Sequence, residues 1–245
     1  MKRIQLIRIL AIGLFLVGVL LGLFMAAGLS LASLEGFVYF GTHHSEQETL
    51  KTLRCPTILS GNESGLVTAS ITNTTDRVIQ PIIKVQISDQ LDLWHDLEQD
   101  ASISPNKTQL FKWEIGPQDV AFGYLVLVKM RQSTAYLTPS RQDTCGTLVL
   151  NIPFLTGAQM LWTGWLGAFL LMAAGIITWT LGNRPLIGRA RFIRQAMLFL
   201  TLALLGGIAA GYFDLWLLGV ICLVLSVLTL VAMFSLLSSQ PRLSE

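Results

Sequence analysis

Charge is what this sequence has least of. Only 13% of its residues are Asp, Glu, Lys or Arg, against about 25% in an ordinary soluble domain. Histidine and cysteine are scarce too, at three of each in 245 residues. So few histidines leave little for acid–base or zinc chemistry. No nucleophile elbow, His-Glu-x-x-His, Walker loop or dinucleotide fingerprint occurs. A net charge of +2 is too small to argue for nucleic acid. The expectation is a chain that is not an enzyme, holds no cofactor or metal, and binds no nucleic acid.

What is present is apolar: hydrophobic residues make up 52% of the chain. They fall into long runs on either side of one polar block, from about Ser33 to Thr156, which holds nearly all the acids. The first run, Ile9 to about Leu34, exceeds the roughly 20 residues needed to cross a hydrocarbon core of about 30 Å. Ser30-Leu31-Ala32 has the small residues of a signal-peptidase site. A signal core is typically only about 7–15 residues long, so a retained helix is the preferred reading. Three further runs follow: Leu161–Leu181, Ala196–Tyr212 and Leu215–Leu237.

The basic residues outside the block sit at the ends of these runs: Lys2, Arg3 and Arg8 at the start, then Arg184, Arg189, Arg191 and Arg194 in a connection assigned to residues 182–195. Cytoplasmic connections are enriched in Lys and Arg. One topology satisfies every cluster, with both termini cytoplasmic, the arginine loop inside and the polar block outside a cytoplasmic (plasma) membrane. Phe37-Val38-Tyr39-Phe40 fits an outer aromatic belt. The domain expectation is therefore helix 1 in residues 1–34, an extracytoplasmic domain in 35–156, and helices 2–4 with a cytoplasmic tail in 157–245.

Inside the block the hydrophobic period changes to two. Val67, Ala69 and Ile71 alternate with Thr68, Ser70 and Thr72; similar runs cover Ile79–Ile87, Phe111–Ile115, Phe122–Met130 and Leu148–Ile152. Turn residues such as Asn73-Thr74-Thr75-Asp76 separate them. Short alternating runs of this kind predict a two-layer antiparallel β-sandwich of immunoglobulin-like size. Asp89–Asp100 breaks the pattern and reads as an acidic loop or short helix crossing between the sheets.

Cys55 and Cys145 lie near the two ends of this domain. An exported domain keeps its disulfides, so the pair is expected to be bonded; a cytosolic block would leave two free thiols. Cys222 falls in an apolar run and reads as packing. Asn62, Asn73 and Asn106 each open an Asn-x-Ser/Thr acceptor pattern, usable if the source is eukaryotic and plain turn chemistry if it is bacterial. His43, His44, Glu46 and Glu48 match no established metal spacing and read as solvated surface, as does His95. In the apolar runs, Gly18 and Gly22, Gly164 and Ala168, and Gly207 and Gly211 are spaced for close helix–helix approach. That approach could be within one bundle or against a partner subunit.

Two resemblances bear on this reading. Ile71–Ile79, then Ser104-Pro105-Asn106-Lys107-Thr108 ahead of Phe111-Lys112-Trp113, resembles the turn-and-strand pattern of bacterial extracytoplasmic immunoglobulin-like modules of the CARDB type. It implies a sandwich fold and a display role. Unlike a true immunoglobulin domain, the cysteines here fall on the outermost strands and Trp113 is not on the strand of the core tryptophan. The order of one helix, a large outer loop and three more helices is similar to claudins and their tetraspan relatives, an adhesion family. The chain lacks that family's Gly-Leu-Trp and its closely spaced cysteines, which makes this a shared topology.

Together these features lead to one functional expectation. The chain is a four-helix membrane bundle with an inserted all-β immunoglobulin-like sandwich, embedded in the lipid bilayer as an accessory, assembly or scaffold subunit beside a membrane or envelope protein partner. A transporter or channel component using hydroxyls at Thr163, Thr178, Thr201, Ser226 and Thr229 is the alternative, as is claudin-like adhesion.

Overall fold

Backbone amides in an apolar run of 20 or so residues are best satisfied internally, as α-helix, and four such runs here are helical. The structure is a computed structural model describing residues 2–40, 48–50, 52–90, 93–133, 139–213 and 215–238. Helix α1 spans Lys2–Tyr39, α2 Gly157–Gly182, α3 Arg189–Tyr212 and α4 Trp216–Ser238. All four are long and apolar enough to cross a membrane. That is compatible with a multi-pass membrane protein. The chain divides into two compact units, Met1–Ser30 with Leu161–Glu245, and Leu31–Met160.

Two helix boundaries differ from the sequence expectation. α1 does not stop at residue 34: its 38 residues make it about 57 Å long at about 1.5 Å per residue. Ser33-Leu34-Glu35-Gly36-Phe37 contains no proline to end it, and its last turns belong to the second unit. α3 begins at Arg189, so Arg189, Arg191 and Arg194 belong to its first two turns and the connection shrinks to Asn183–Gly188. Arginine is a good helix former, whereas Pro185 and Gly188, the latter at φ 56°, discourage an earlier start.

In the first unit, Ala11, Phe15 and Val19 of α1, Ala168, Met172 and Trp179 of α2, Ile193, Met197, Leu200 and Leu204 of α3, and Met233 of α4 form one buried cluster. The opposite faces keep large apolar side chains such as Leu202, Leu228 and Phe234 exposed, an arrangement suited to lipid and poorly suited to water.

Among the described residues, the second unit carries eight strands: β1 Glu48–Thr49, β2 Ile58–Ser60, β3 Gly65–Thr72, β4 Ile82–Ser88, β5 Trp94–Asp100, β6 Thr108–Ile115, β7 Leu125–Gln132 and β8 Arg141–Leu150. Six make one sheet in the order β1-β8-β7-β4-β5, with β2 also on β8; β3 and β6 pair separately. The expectation of purely antiparallel pairing fails here: β1 and β2 both run parallel to β8, so the larger sheet is mixed. The loop or helix crossing expected over Asp89–Asp100 is corrected for Trp94–Asp100, which pairs residue for residue with β4. Inward residues of both sheets share one core: Val67, Ala69 and Ile71 of β3, Phe111, Trp113 and Ile115 of β6, Ile83, Val85 and Ile87 of β4, and Val126, Val128 and Met130 of β7.

Candidate functional site

The chemistry-bearing features of the second unit gather where its β-strands meet the end of α1 and the start of α2. Cys55 and Cys145 form a disulfide, with Cα atoms 6.0 Å apart and a sequence separation of 90. Cys145 is buried on β8. Cys55 follows Arg54, whose backbone exchanges two hydrogen bonds with Thr68 of β3. The bridge therefore joins the opening segment of the domain to its closing strand. On the chain-entropy model, closing a loop of this size contributes up to about 4.6 kcal/mol.

Beside the disulfide, two glycines let α1 lie against β8. A Cβ on Gly146 would strike the carbonyl of Ala32, and one on Gly36 would sit 3.3 Å from the carbonyl oxygen of Cys145. At the start of α2, a Cβ on Gly157 would strike the carbonyl of Ile58. The carboxylate of Glu63 accepts from the Gly157 N–H at 2.7 Å and from the Ser60 N–H at 3.0 Å. It thus satisfies one of the orphan amides at the start of α2. Thr156 and Gln159 add a reciprocal capping box, Thr156 N–H to the Gln159 side chain at 3.0 Å and Gln159 N–H to the Thr156 hydroxyl at 3.3 Å. The Thr-x-x-Gln spacing is a signal for this cap that the sequence carries; Glu63, 94 residues from Gly157, has none.

An aromatic group lies at the end of α1. The Tyr39 ring centroid is 5.0 Å from Phe40, 6.1 Å from Trp94 and 5.8 Å from Phe122. The Tyr39 hydroxyl donates to the Leu93 carbonyl at 2.9 Å. Lys129 donates to the Phe40 carbonyl at 3.4 Å and sits 5.9 Å from the centre of its ring. Burial, and then Arg131, hold the Lys129 ammonium below its ordinary value. Trp94 and Phe122 thus join the Tyr39–Phe40 end of the expected aromatic belt.

The most buried carboxylate among the described residues is Asp119, 2% exposed. It accepts from the Gly116 N–H at 2.7 Å and the Gln118 amide at 3.1 Å, with His95 Nε2 3.9 Å away. Burial pushes its carboxyl above the usual range; the Gly116 N–H and His95 oppose this, and Asp89 adds to it. The Ser88 hydroxyl donates to the Asp119 carbonyl at 2.7 Å and accepts from the Leu127 N–H at 2.9 Å. The polar groups around Asp119 serve chiefly to hold the turn between β6 and β7 against β4.

The other sequence-derived residues distribute as follows. A Cβ on Gly18 would lie 2.8 Å from the Met172 backbone N, and one on Gly22 would be 3.8 Å from the Ala168 Cβ. Gly164 faces Met25, Gly207 faces Cys222 and Ala26, and Gly211 faces Leu29. Each of these small residues therefore meets another helix of the same chain. Asn62 and Asn106 are exposed. Asn73 is not an available glycosylation acceptor, which corrects the reading of all three: it is fully buried and its amide donates to the carbonyls of Arg77 and Ile103 at 2.7 and 2.9 Å. Arg8, Arg184, Arg189 and Arg191 are exposed and Arg194 is half-buried. The hydroxyls of Thr201, Ser226 and Thr229 donate back to carbonyls of their own helices. The side chains of Lys2, Arg3 and Glu48, and residues His43, His44 and Glu46, lie outside the described residues.

No model of a known protein family and no curated protein matches the chain. Among solved structures, it is similar to a β-glucuronidase from Bacteroides uniformis, at 13% identity and TM-score 0.31 over 40% of this chain and 12% of that one. A β-glucosidase from Listeria innocua is similar at 16% identity and TM-score 0.30, over 40% and 15%. A CARDB domain from Pyrococcus furiosus, solved in complex with di-metal ions, is similar at 10% identity and TM-score 0.31, over 44% of this chain and all of that one. The last is a domain of the class that the turns at Ile71–Ile79 and Ser104–Trp113 resemble, and a likeness this slight carries no argument. The glycosidases correct one expectation. With enzymes among its structural neighbours, the conclusion that the chain is not an enzyme does not stand. The chain spans 12% and 15% of those two enzymes, and likenesses this slight carry no activity onto it.

Proposed function

We propose that this chain is a multi-pass protein of the cytoplasmic membrane that displays an immunoglobulin-like sandwich on the outer side, as an accessory, assembly or scaffold subunit of a membrane or envelope complex. The observation that carries the reading is the disulfide between Cys55 and Cys145, because such bonds persist in oxidising compartments. It supports an outer location for the Leu31–Met160 unit, and the distribution of basic residues supports both termini, with Arg184, Arg189, Arg191 and Arg194, in the cytoplasm. α1, retained in the mature protein, leads into the domain and α2 leads out of it, so two chain connections hold it where a tethered module has one. The partners are the bilayer and a second protein of the same membrane or envelope. Purification from native membranes in a mild detergent tests the reading. A defined complex with one or a few stoichiometric proteins is expected; a bare monomer at every detergent tried would overturn the subunit role.

A further inference from the structure

The open edge of the larger sheet is β5, and its register determines which backbone groups it offers. Asp89 N–H donates to the Leu93 carbonyl at 3.0 Å and Ala101 N–H to the Pro81 carbonyl at 3.2 Å. Bonded pairs alternate along an antiparallel ladder, so between these two bonds the residues turned toward β4 are His95, Leu97 and Gln99, opposite Ile87, Val85 and Ile83. The N–H and C=O groups of Trp94, Asp96, Glu98 and Asp100 therefore point away from β4. β5 is last in the strand order and all seven of its residues are exposed, so among the described residues nothing pairs with this edge.

The side chains on the two faces of β5 specify what can pair there. Asp96, Glu98 and Asp100 share one face, with Lys84 of β4 the cation opposite them across the ladder. Leu97, on the other face, is 39% exposed beside the core residue Val85. A strand added at this edge places its residues directly opposite these, with side chains on matching faces. Basic residues at alternate positions would meet the carboxylates and apolar residues between them would extend the core side. A second copy of β5 is unsuitable, since it would set carboxylate against carboxylate.

We propose that β5 is a docking edge for an extended segment of a partner protein in which Lys or Arg alternates with apolar residues, added as a further strand by main-chain pairing. The proposal rests on the display reading above and names the chemistry of the partner.

The test uses the full-length protein in detergent and a fluorescein-labelled peptide, Gly-Lys-Val-Lys-Val-Lys-Gly, read by anisotropy at low salt. Saturable binding is expected, weakened at least tenfold in the Asp96→Asn, Glu98→Gln, Asp100→Asn triple variant. Two versions of the peptide, N-methylated at alternate residues in opposite phases, separate strand pairing from simple charge attraction. One phase is expected to lose binding and the other to keep it. Glu98→Pro removes an N–H that points to the open edge and leaves the β4 bonds in place, so it is expected to weaken binding at least tenfold. Equal binding of both methylated peptides, or no saturable binding at all, would overturn the proposal. The methylated peptides are read on the unaltered protein, so their result holds even if the proline variant misfolds. Peptide binding without any co-purifying subunit would count against the display complex alone; a complex without peptide binding would count against the edge alone.

Discussion

At the scale of single residues, Asp119 shows how burial overrides sequence chemistry. An acidic residue in a Gly-Pro-Gln-Asp turn reads as solvated, yet its carboxylate is enclosed and anchors the Gly116 N–H. Its raised folded value means that the folded state holds the proton more tightly than the unfolded chain does. Stability from this group is then fully present below the ordinary aspartate value of about 3.9 and is lost as pH rises through the higher folded value. Asp119→Asn, which keeps an acceptor for Gly116, is expected to gain on the wild type as pH rises from about 4 toward neutrality. Asp119→Ala leaves a buried N–H unpaired and is expected to cost about 1–3 kcal/mol. Thermal unfolding of the three proteins across pH checks both; parallel pH profiles for wild type and Asp119→Asn would contradict the assignment. Asn73 behaves in the same way. Its turn is legible in the sequence, and its side-chain oxygen does accept from the Thr75 N–H two residues on, at 2.9 Å. That the amide is consumed by Arg77 and Ile103 depends on a segment 30 residues away, which no local pattern announces.

At the scale of elements, what can be read depends on whether an element has one buried face. β3, β4 and β6 bury alternate residues, which writes a period of two into the sequence. β5 buries neither face, so Trp-His-Asp-Leu-Glu-Gln-Asp carries no alternation and passes for a loop. β7 buries Leu125, Val126, Leu127 and Val128 in succession; the expected alternation from Phe122 instead included Phe122 and Tyr124, both exposed and both before the strand. β1 and β2, at two and three residues, are too short for any period and hide the parallel pairing. The apolar helices are legible by length, while their ends depend on local breakers. Within the helices, Gly18 and Gly13 make a controlled comparison. A Cβ at Gly18 meets the Met172 backbone, whereas one at Gly13 meets nothing within 4 Å. Gly18→Val is expected to cost about 1–3 kcal/mol through overpacking and Gly13→Val to be near neutral, measured as thermal stability in the same detergent. Equal losses would mean that α1 and α2 do not approach closely at Gly18.

At the scale of the whole molecule, function turns on where the Leu31–Met160 unit resides and what closes it. Replacing Cys55 and Cys145 together by Ala is expected to lower the unfolding free energy by up to about 4.6 kcal/mol, seen as a large drop in the denaturant midpoint of that unit. An unchanged midpoint would leave the disulfide without a stabilising role. The proposed outer location of the unit underlies every other part of the functional reading, and thiol labelling in intact cells reports on it without intermediaries. With Cys222 replaced by Ala, one reporter is placed at Lys107→Cys, exposed in the turn before β6, and another at Ile187→Cys, 74% exposed in the connection between α2 and α3. A membrane-impermeant maleimide is expected to label the Lys107→Cys protein in intact cells and the Ile187→Cys protein only after permeabilisation. Labelling of Ile187→Cys in intact cells with Lys107→Cys protected would contradict the outward placement.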